Sequence, residues 1–174
     1  LEEIQIHHSS EVISPTQYLL DFYKRFDWRV TNPKIIPYHL PTFEKFPQKN
    51  LSSDVVIAFV GALSKRKGFD LAIDTVRELH SLGLKFQFRI YGGILDFPRD
   101  TIIKLLEESG CNFEFMDNMS GNSIWQELST LNTTLIVPSR LDNSPSVIYE
   151  AIAANCKVVV SDTQGGGELR SSFP

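Results

Sequence analysis

Apolar residues along this chain fall into short runs, separated by stretches with the period of a helix. Residues 54–61, DVVIAFVG, form a near-continuous apolar run ending in glycine, which predicts a strand buried on both faces. The next stretch, 68–83, repeats Phe69, Ala72, Val76 and Leu79 at the spacing of one helix face and predicts a helix. The alternation continues as strand 85–91, helix 98–109, strand 112–116, helix 122–131, strand 133–137, helix 145–154 and strand 157–161. Repeated strand–helix units predict an α/β, Rossmann-like parallel sheet with helices on both faces. Ligands of such sheets collect at the carboxyl ends of the strands. The loops 61–68, 91–97, 116–121, 138–145 and 161–168 are therefore where chemistry is expected.

The first fifty residues break the pattern. EVISP leads into a helix-like PTQYLLDFYKRF and then into KIIPYHLPTFEKFPQKN, rich in proline and polar residues. Residues 1–50 read as a helix and connector arriving from another domain, and 51–174 as the sheet domain. At the other end GGGELRSSFP opens a helix-like segment and stops, where a doubly wound domain ordinarily adds a further strand and helix. Both ends read as cut from something longer.

Composition narrows the function classes. A chain of 174 residues, 42% hydrophobic, can bury one core and carry an appendage. With 17 basic against 21 acidic side chains and no basic block, a nucleic-acid surface is not expected. Cys111 and Cys156 lie far apart, in no metal or redox spacing, and fit a reducing cytoplasm. No apolar run approaches the ~20 residues of a membrane span, and LEEIQIHHSS lacks the pattern of a signal peptide. His7 and His8 are adjacent, not four apart as on a metal-binding helix face, and read as linker residues.

The candidate chemistry gathers in two loops and one helix. Ser144 followed by Pro145 predicts a helix start, a capping hydroxyl and then a ring whose missing N–H is harmless at the first helical position. The amides of Ser146 and Val147 would then face outward at the positive end of the helix dipole, which suits a phosphate. Glu150 lies about 7 Å further along that helix, near the span from a diphosphate to the ribose diol of one nucleotide. Asp142, in the loop before the helix, is placed to meet a sugar on the far phosphate. GALSKRKGFD, residues 61–70, is a glycine-ended strand followed by a basic loop in which Lys67 could neutralise a diphosphate. TQGGGEL, residues 163–169, permits close backbone approach, and its amides are candidates for another phosphate oxygen. Neither a P-loop, a GxGxxG turn nor a GxSxG elbow occurs. Taken singly, each feature also has an ordinary structural explanation: a plain cap, a solvated glutamate, a turn aspartate, an exposed basic loop.

Together, FVGALSKRKGFDLAIDTVREL and TLIVPSRLDNSPSVIYEAIAANCKVVVSDTQGGGEL, with VISPTQYLLDFYKRF and KIIPYHLP, resemble the C-terminal, donor-binding half of a GT-B glycosyltransferase. The similarity is to glycosyltransferase family 4, the group 1 glycosyl transferases, and covers nearly the whole chain. The acid pair with seven residues between, the EA helix, VVVSD and the glycine turn stand in that family's order. The resemblance implies retaining transfer of a hexose from a nucleoside diphosphate sugar to an acceptor hydroxyl, in polysaccharide or glycoconjugate synthesis. It implies that Glu150 holds the ribose, Asp142 the donor sugar, and the amides of Ser146 and Val147 with Lys67 the diphosphate. Gly61, Ala62 and Ser144 would border the same site, and Met119 the base. It also implies that no metal or other cofactor is required. The acceptor, a glycan or lipid-linked molecule, would be bound through an N-terminal domain, and the whole protein could work at the inner face of a membrane.

Departures from the family pattern are Asp142 where Glu is usual, Ala62 where Arg is usual, and Tyr38–His39 where Asn-Gly is usual. Arg66 and Arg140 are candidates to replace the missing charge. A non-catalytic domain of the same fold, or a nucleotide-sugar epimerase, are the competing readings.

Overall fold

The structure is a computed structural model that describes residues 2–42, 54–117, 119–162 and 164–169. The part of the expected connector from residue 43 onward, and the final RSSFP, lie outside the described residues.

The chain opens with α1 (Glu2–His8), β1 (Val12–Ser14), α2 (Gln17–Arg25) and β2 (Pro33–Ile35). After the connector come β3 (Val55–Val60), α3 (Phe69–Ser81), β4 (Gln87–Tyr91), α4 (Arg99–Glu108) and β5 (Asn112–Met116). It finishes with α5 (Gly121–Thr130), β6 (Asn132–Val137), α6 (Ser146–Ala153), β7 (Lys157–Val160) and α7 (Gln164–Glu168). From β3 to β7 each element falls within a residue or two of the position its hydrophobic pattern predicts.

The main sheet has the order β5-β4-β3-β6-β7 with every pair parallel. β3 is the centre, and its alternate residues feed two separate cores. Ile57 and Phe59 pack with Phe69, Ile73 and Val76 of α3 and with Ile102 and Leu106 of α4. Val56 and Ala58 pack with Trp125 and Leu128 of α5 and with Ile148 and Ala151 of α6. That division follows from the two-residue period of a strand, and it is why β3 reads as unbroken apolar sequence. The order also fixes a switch point. From β3 the chain moves outward to β4 and β5, then returns to lay β6 on the other side of β3, so the loops after β3 and β6 diverge over a crevice.

Two features hold those loops together. Gly68, the residue before α3, has φ +72°, and a Cβ there would lie 2.0 Å from the carbonyl oxygen of Pro138 at the end of β6. Only glycine lets the backbones approach this closely. Arg140 then reaches over α3 and makes paired hydrogen bonds to Asp70, at 2.5 and 2.9 Å. The Arg140 guanidinium holds the Asp70 carboxyl below the usual carboxylate range.

The N-terminal region departs from the expected helix and connector. α2 is present, but the flanking EVISP and KIIPYHLP supply β1 and β2, which pair in parallel around it as a small βαβ unit. His7 and His8, expected in a linker, form the exposed last turn of α1. The reason is local: Glu2 and Glu3 open that helix and the two histidines close it, matching its dipole, while Ile6 supplies the buried contact. Cys111 and Cys156 are free, buried thiols assigned to different cores.

A Gly68→Ala substitution is expected to destabilise the domain by roughly 3 kcal/mol, from the positive φ and the forced shift of Pro138. Gly93→Ala, with open space at its Cβ, is expected to change little; urea unfolding of both variants checks this. Because the Asp70 carboxyl is depressed, its contribution is present above an unfolded carboxyl value near ~3.9 and is lost as pH falls below it. Asp70→Asn is thus expected to shallow the acid side of the stability–pH profile, by less than about 1 kcal/mol for so exposed a pair. Denaturant melts between about pH 5 and pH 2.5 measure that difference.

Candidate functional site

The loop after β3 is a tight turn, not a loose basic tail. The Lys67 amide donates to Ser64 Oγ at 3.2 Å, the Phe69 amide to the Ser64 carbonyl at 3.1 Å, and the Lys65 amide to Asp96 at 2.8 Å. Ser64 is itself buried. This turn delivers the half-buried Lys67 ammonium to Asp142, 2.5 Å away across the switch point. Arg66 lies on the outer side of the same pair, donating to the Leu141 carbonyl at 3.2 Å with its guanidinium 3.9 Å from Asp142. Arg140 is committed to Asp70 and to the Lys65 carbonyl, so of the two candidates to replace an arginine at Ala62, only Arg66 reaches Asp142. Gly61 and Ala62 lie half-buried in the turn's approach, where the Gly61 amide donates to the Tyr91 carbonyl at 2.9 Å.

Beside that pair begins α6. The expected Ser144 cap is not formed. Pro145 occupies the cap position, no side chain among the described residues caps the helix, and Ser146 is its first residue. The Ser144 hydroxyl is instead buried 3.2 Å from the Tyr149 hydroxyl, which also lies within the core. Two buried hydroxyls satisfy one another, and that pairing takes Ser144 away from both the cap and the surface. The amino end of α6 is nonetheless open, because Ser146 is exposed and Val147 half-buried. Ser146 and Glu150 are four residues apart and share one helix face.

Glu150 is half-buried among apolar neighbours, and its Oε2 accepts a hydrogen bond from Trp125 Nε1 at 2.8 Å. Oε1 has no partner among the described residues. Met119, next to the Ser120 cap of α5, packs partly into the same core as Trp125.

The glycine turn packs closely against the neighbouring loop. Gly165 and Gly166 are buried, and the Gly165 amide donates to the Asp142 carbonyl at 3.3 Å. A Cβ at Gly165 would lie 1.3 Å from the Asn143 carbonyl oxygen. The glycines therefore permit α7 to press against the loop that carries Asp142, the close backbone approach expected of this segment, and the Gly165 amide is engaged within the protein. Three residues on from Gly165, both oxygens of Glu168 accept the first amides of α2, from Gln17 and Tyr18 at 2.8 Å each. Thr16 Oγ1 meets Asn143 Oδ1, and Tyr38 lies edge-on to Tyr149 with centroids 5.8 Å apart. The βαβ unit is thus tied to the rim of the site.

The structure brings Lys67 and Asp142 into contact at the carboxyl edge of the sheet, beside Ser146 and Val147 at the start of α6, and Glu150 lies one turn along that helix, against Trp125. Sequence reasoning missed Trp125, Thr16, Asn143 and Glu168. Trp125 falls with Ile124 and Leu128 on an apolar helical stripe, which signals only burial. The other three carry no local signal, because their partners are more than a hundred residues away in the chain.

Comparison with solved structures finds the same fold in larger proteins at low identity. A mutant of S. aureus TarM, solved with Fondaparinux, alpha-GlcNAc-glycerol and UDP, is 19% identical with a TM-score of 0.73, over 95% of this chain and 32% of that one. WaaG, a glycosyltransferase involved in lipopolysaccharide biosynthesis, is 19% identical with a TM-score of 0.74, over 98% of this chain and 50% of that one. Anabaena Alr3699/HepE, solved with UDP and glucose, is 18% identical with a TM-score of 0.73, over 95% of this chain and 48% of that one. The chain therefore spans between a third and a half of the length of these proteins. No curated protein matches by sequence. No helix among the described residues is long and apolar enough to cross a membrane. The sequence profile described as Glycosyl transferases group 1 matches residues 42–171, and the chain belongs to that family.

Proposed function

We propose that this chain is the donor-binding half of a retaining hexosyltransferase, and that it holds a nucleoside diphosphate sugar across the switch point between β3 and β6. The observation that carries the reading is the meeting of Lys67 with Asp142 beside the uncapped amino end of α6, with Glu150 one turn further along the same face. The diphosphate lies against the amides of Ser146 and Val147, where the helix dipole favours negative charge. Lys67 supplies a full positive charge to the same group, and Asp142 keeps that ammonium oriented before the ligand arrives. Glu150 accepts from the ribose hydroxyls, and Asp142 accepts from the hexose.

In this arrangement the protein's part in the reaction is electrostatic. As the bond from the anomeric carbon to the leaving oxygen breaks, negative charge grows on the diphosphate, and the amides and Lys67 already face it. The acceptor oxygen forms the new bond on the face the diphosphate leaves, and the hydroxyl proton passes to the departing diphosphate oxygen. The acceptor, a glycan or lipid-linked molecule of a polysaccharide or glycoconjugate pathway, is bound by a facing N-terminal domain. TarM and HepE were solved with UDP, and UDP and UDP-glucose are the first probes to use.

Titration calorimetry of the chain with UDP is expected to show binding that weakens about tenfold in Glu150→Ala, the loss of one or two hydrogen bonds to a charged acceptor. UDP lacking both ribose hydroxyls is expected to bind wild type and variant alike; equal UDP affinity in the two proteins would remove the ribose contact. Lys67→Ala is expected to cost at least as much and to flatten the salt dependence of UDP binding. Transfer from UDP-glucose is expected from the whole protein and little or none from this chain alone, as a coupled UDP-release assay would report.

A further inference from the structure

Trp125 is at the centre of the core on the α5–α6 side of the sheet, 1% exposed, and its indole N–H is a donor that needs an acceptor once buried. It finds one in Glu150 Oε2 at 2.8 Å. We propose that Trp125 is a positioning residue, whose N–H fixes the plane of the Glu150 carboxylate so that this group meets a ribose diol in one orientation. The inference rests on the reading that Glu150 holds the ribose, and adds how that contact is made selective.

The physical case is about freedom. The terminal torsion of a glutamate is broad and two-fold, so a half-buried carboxylate on a helix edge samples many directions. Trp125 is fixed by packing with Ile124, Leu128, Leu135 and Ile148. A hydrogen bond from so rigid a donor orients Oε2 and, through the carboxylate plane, Oε1, the oxygen with no partner among the described residues. Satisfying the indole alone would not require a charge, since a neutral acceptor of the same shape serves. The carboxylate adds acceptor capacity beyond that bond: all of Oε1 and the second lone-pair direction of Oε2, two acceptors for two vicinal hydroxyls.

The test uses Trp125→Phe, and also the benzothiophene analogue of tryptophan installed at position 125, which keeps the bicyclic shape without the N–H. Each is titrated with UDP and with UDP lacking both ribose hydroxyls, alone and combined with Glu150→Ala, after thermal melting confirms folding. The expected result is a UDP affinity about tenfold weaker for both replacements, unchanged affinity for the dideoxy ligand, and no further loss on top of Glu150→Ala. UDP affinity equal to wild type in the benzothiophene protein overturns the positioning role while leaving Glu150 as the ribose acceptor. Equal losses for the two ligands overturn it as well, since they show a packing effect. If Glu150→Ala itself binds UDP like wild type, the ribose reading fails and takes this inference with it.

Discussion

Everything at the carboxyl edge of this sheet depends on how closely the turn after β3 can approach the end of β6. Gly68, with its positive φ, lets the turn settle on the carbonyl of Pro138, where any side chain would collide. Once that approach is made, Lys67 and Asp142 are 2.5 Å apart, although 75 residues separate them in sequence. The ion pair is a result of backbone packing more than its cause, because two partly exposed charges contribute little to stability on their own. Its significance lies in the organisation of charge. A cation held in place beside an open helix terminus has already met the entropic cost of ordering a long side chain, so an incoming anion need not supply it.

The same economy of backbone approach explains the C-terminal glycines. The sequence suggests close backbone approach at these glycines, and the structure shows what they approach. Gly165 lies against the Asn143 carbonyl and Gly166 against Val160, which brings Glu168 within reach of the first amides of α2. Asn143 faces inward to Thr16, while its neighbour Asp142 faces Lys67. One short loop therefore connects the proposed donor site to the βαβ unit. The contacts of Asn143 with Thr16 and of Glu168 with the start of α2 join the N-terminal part of the chain to the loop that carries Asp142.

The sheet was legible in the sequence because a strand buried on both faces and a helix buried on one leave patterns of different period, and β3 to α6 follow them closely. β1 and β2 were not legible. Each is three residues long, too short for an alternation to register, and β2 begins with a proline, which weighs against a strand. For the proposed site, the meeting of the loops that carry Lys67 and Asp142 was legible, since parallel topology brings both to the carboxyl edge. Its details were not. Ser144 has the sequence of a cap, yet Tyr149 turns a second buried hydroxyl toward it, and a side chain arriving from the next helical turn is invisible in the pattern of polar and apolar positions.

Glu150 poses the sharpest version of the problem, because both explanations of its presence are physically sound. A carboxylate surrounded by Val147, Ile148, Ala151 and Ile152 could exist to satisfy the indole of Trp125, and burial of that indole would then be the purpose. The geometry weighs against this as the whole account. A tryptophan N–H needs one acceptor lone pair, whereas a carboxylate offers about four and carries a charge whose partial burial is costly unless something answers it. Among the described residues, nothing uses Oε1 and no cation is paired with Glu150. A half-buried anion held by one donor, on the helix face it shares with the exposed Ser146, has more acceptor capacity than the indole uses and suits a ligand bearing hydroxyl donors. On the proposed reading, the indole and the diol make compatible demands on one side chain: the first sets its orientation, and the second takes up the acceptor capacity that remains.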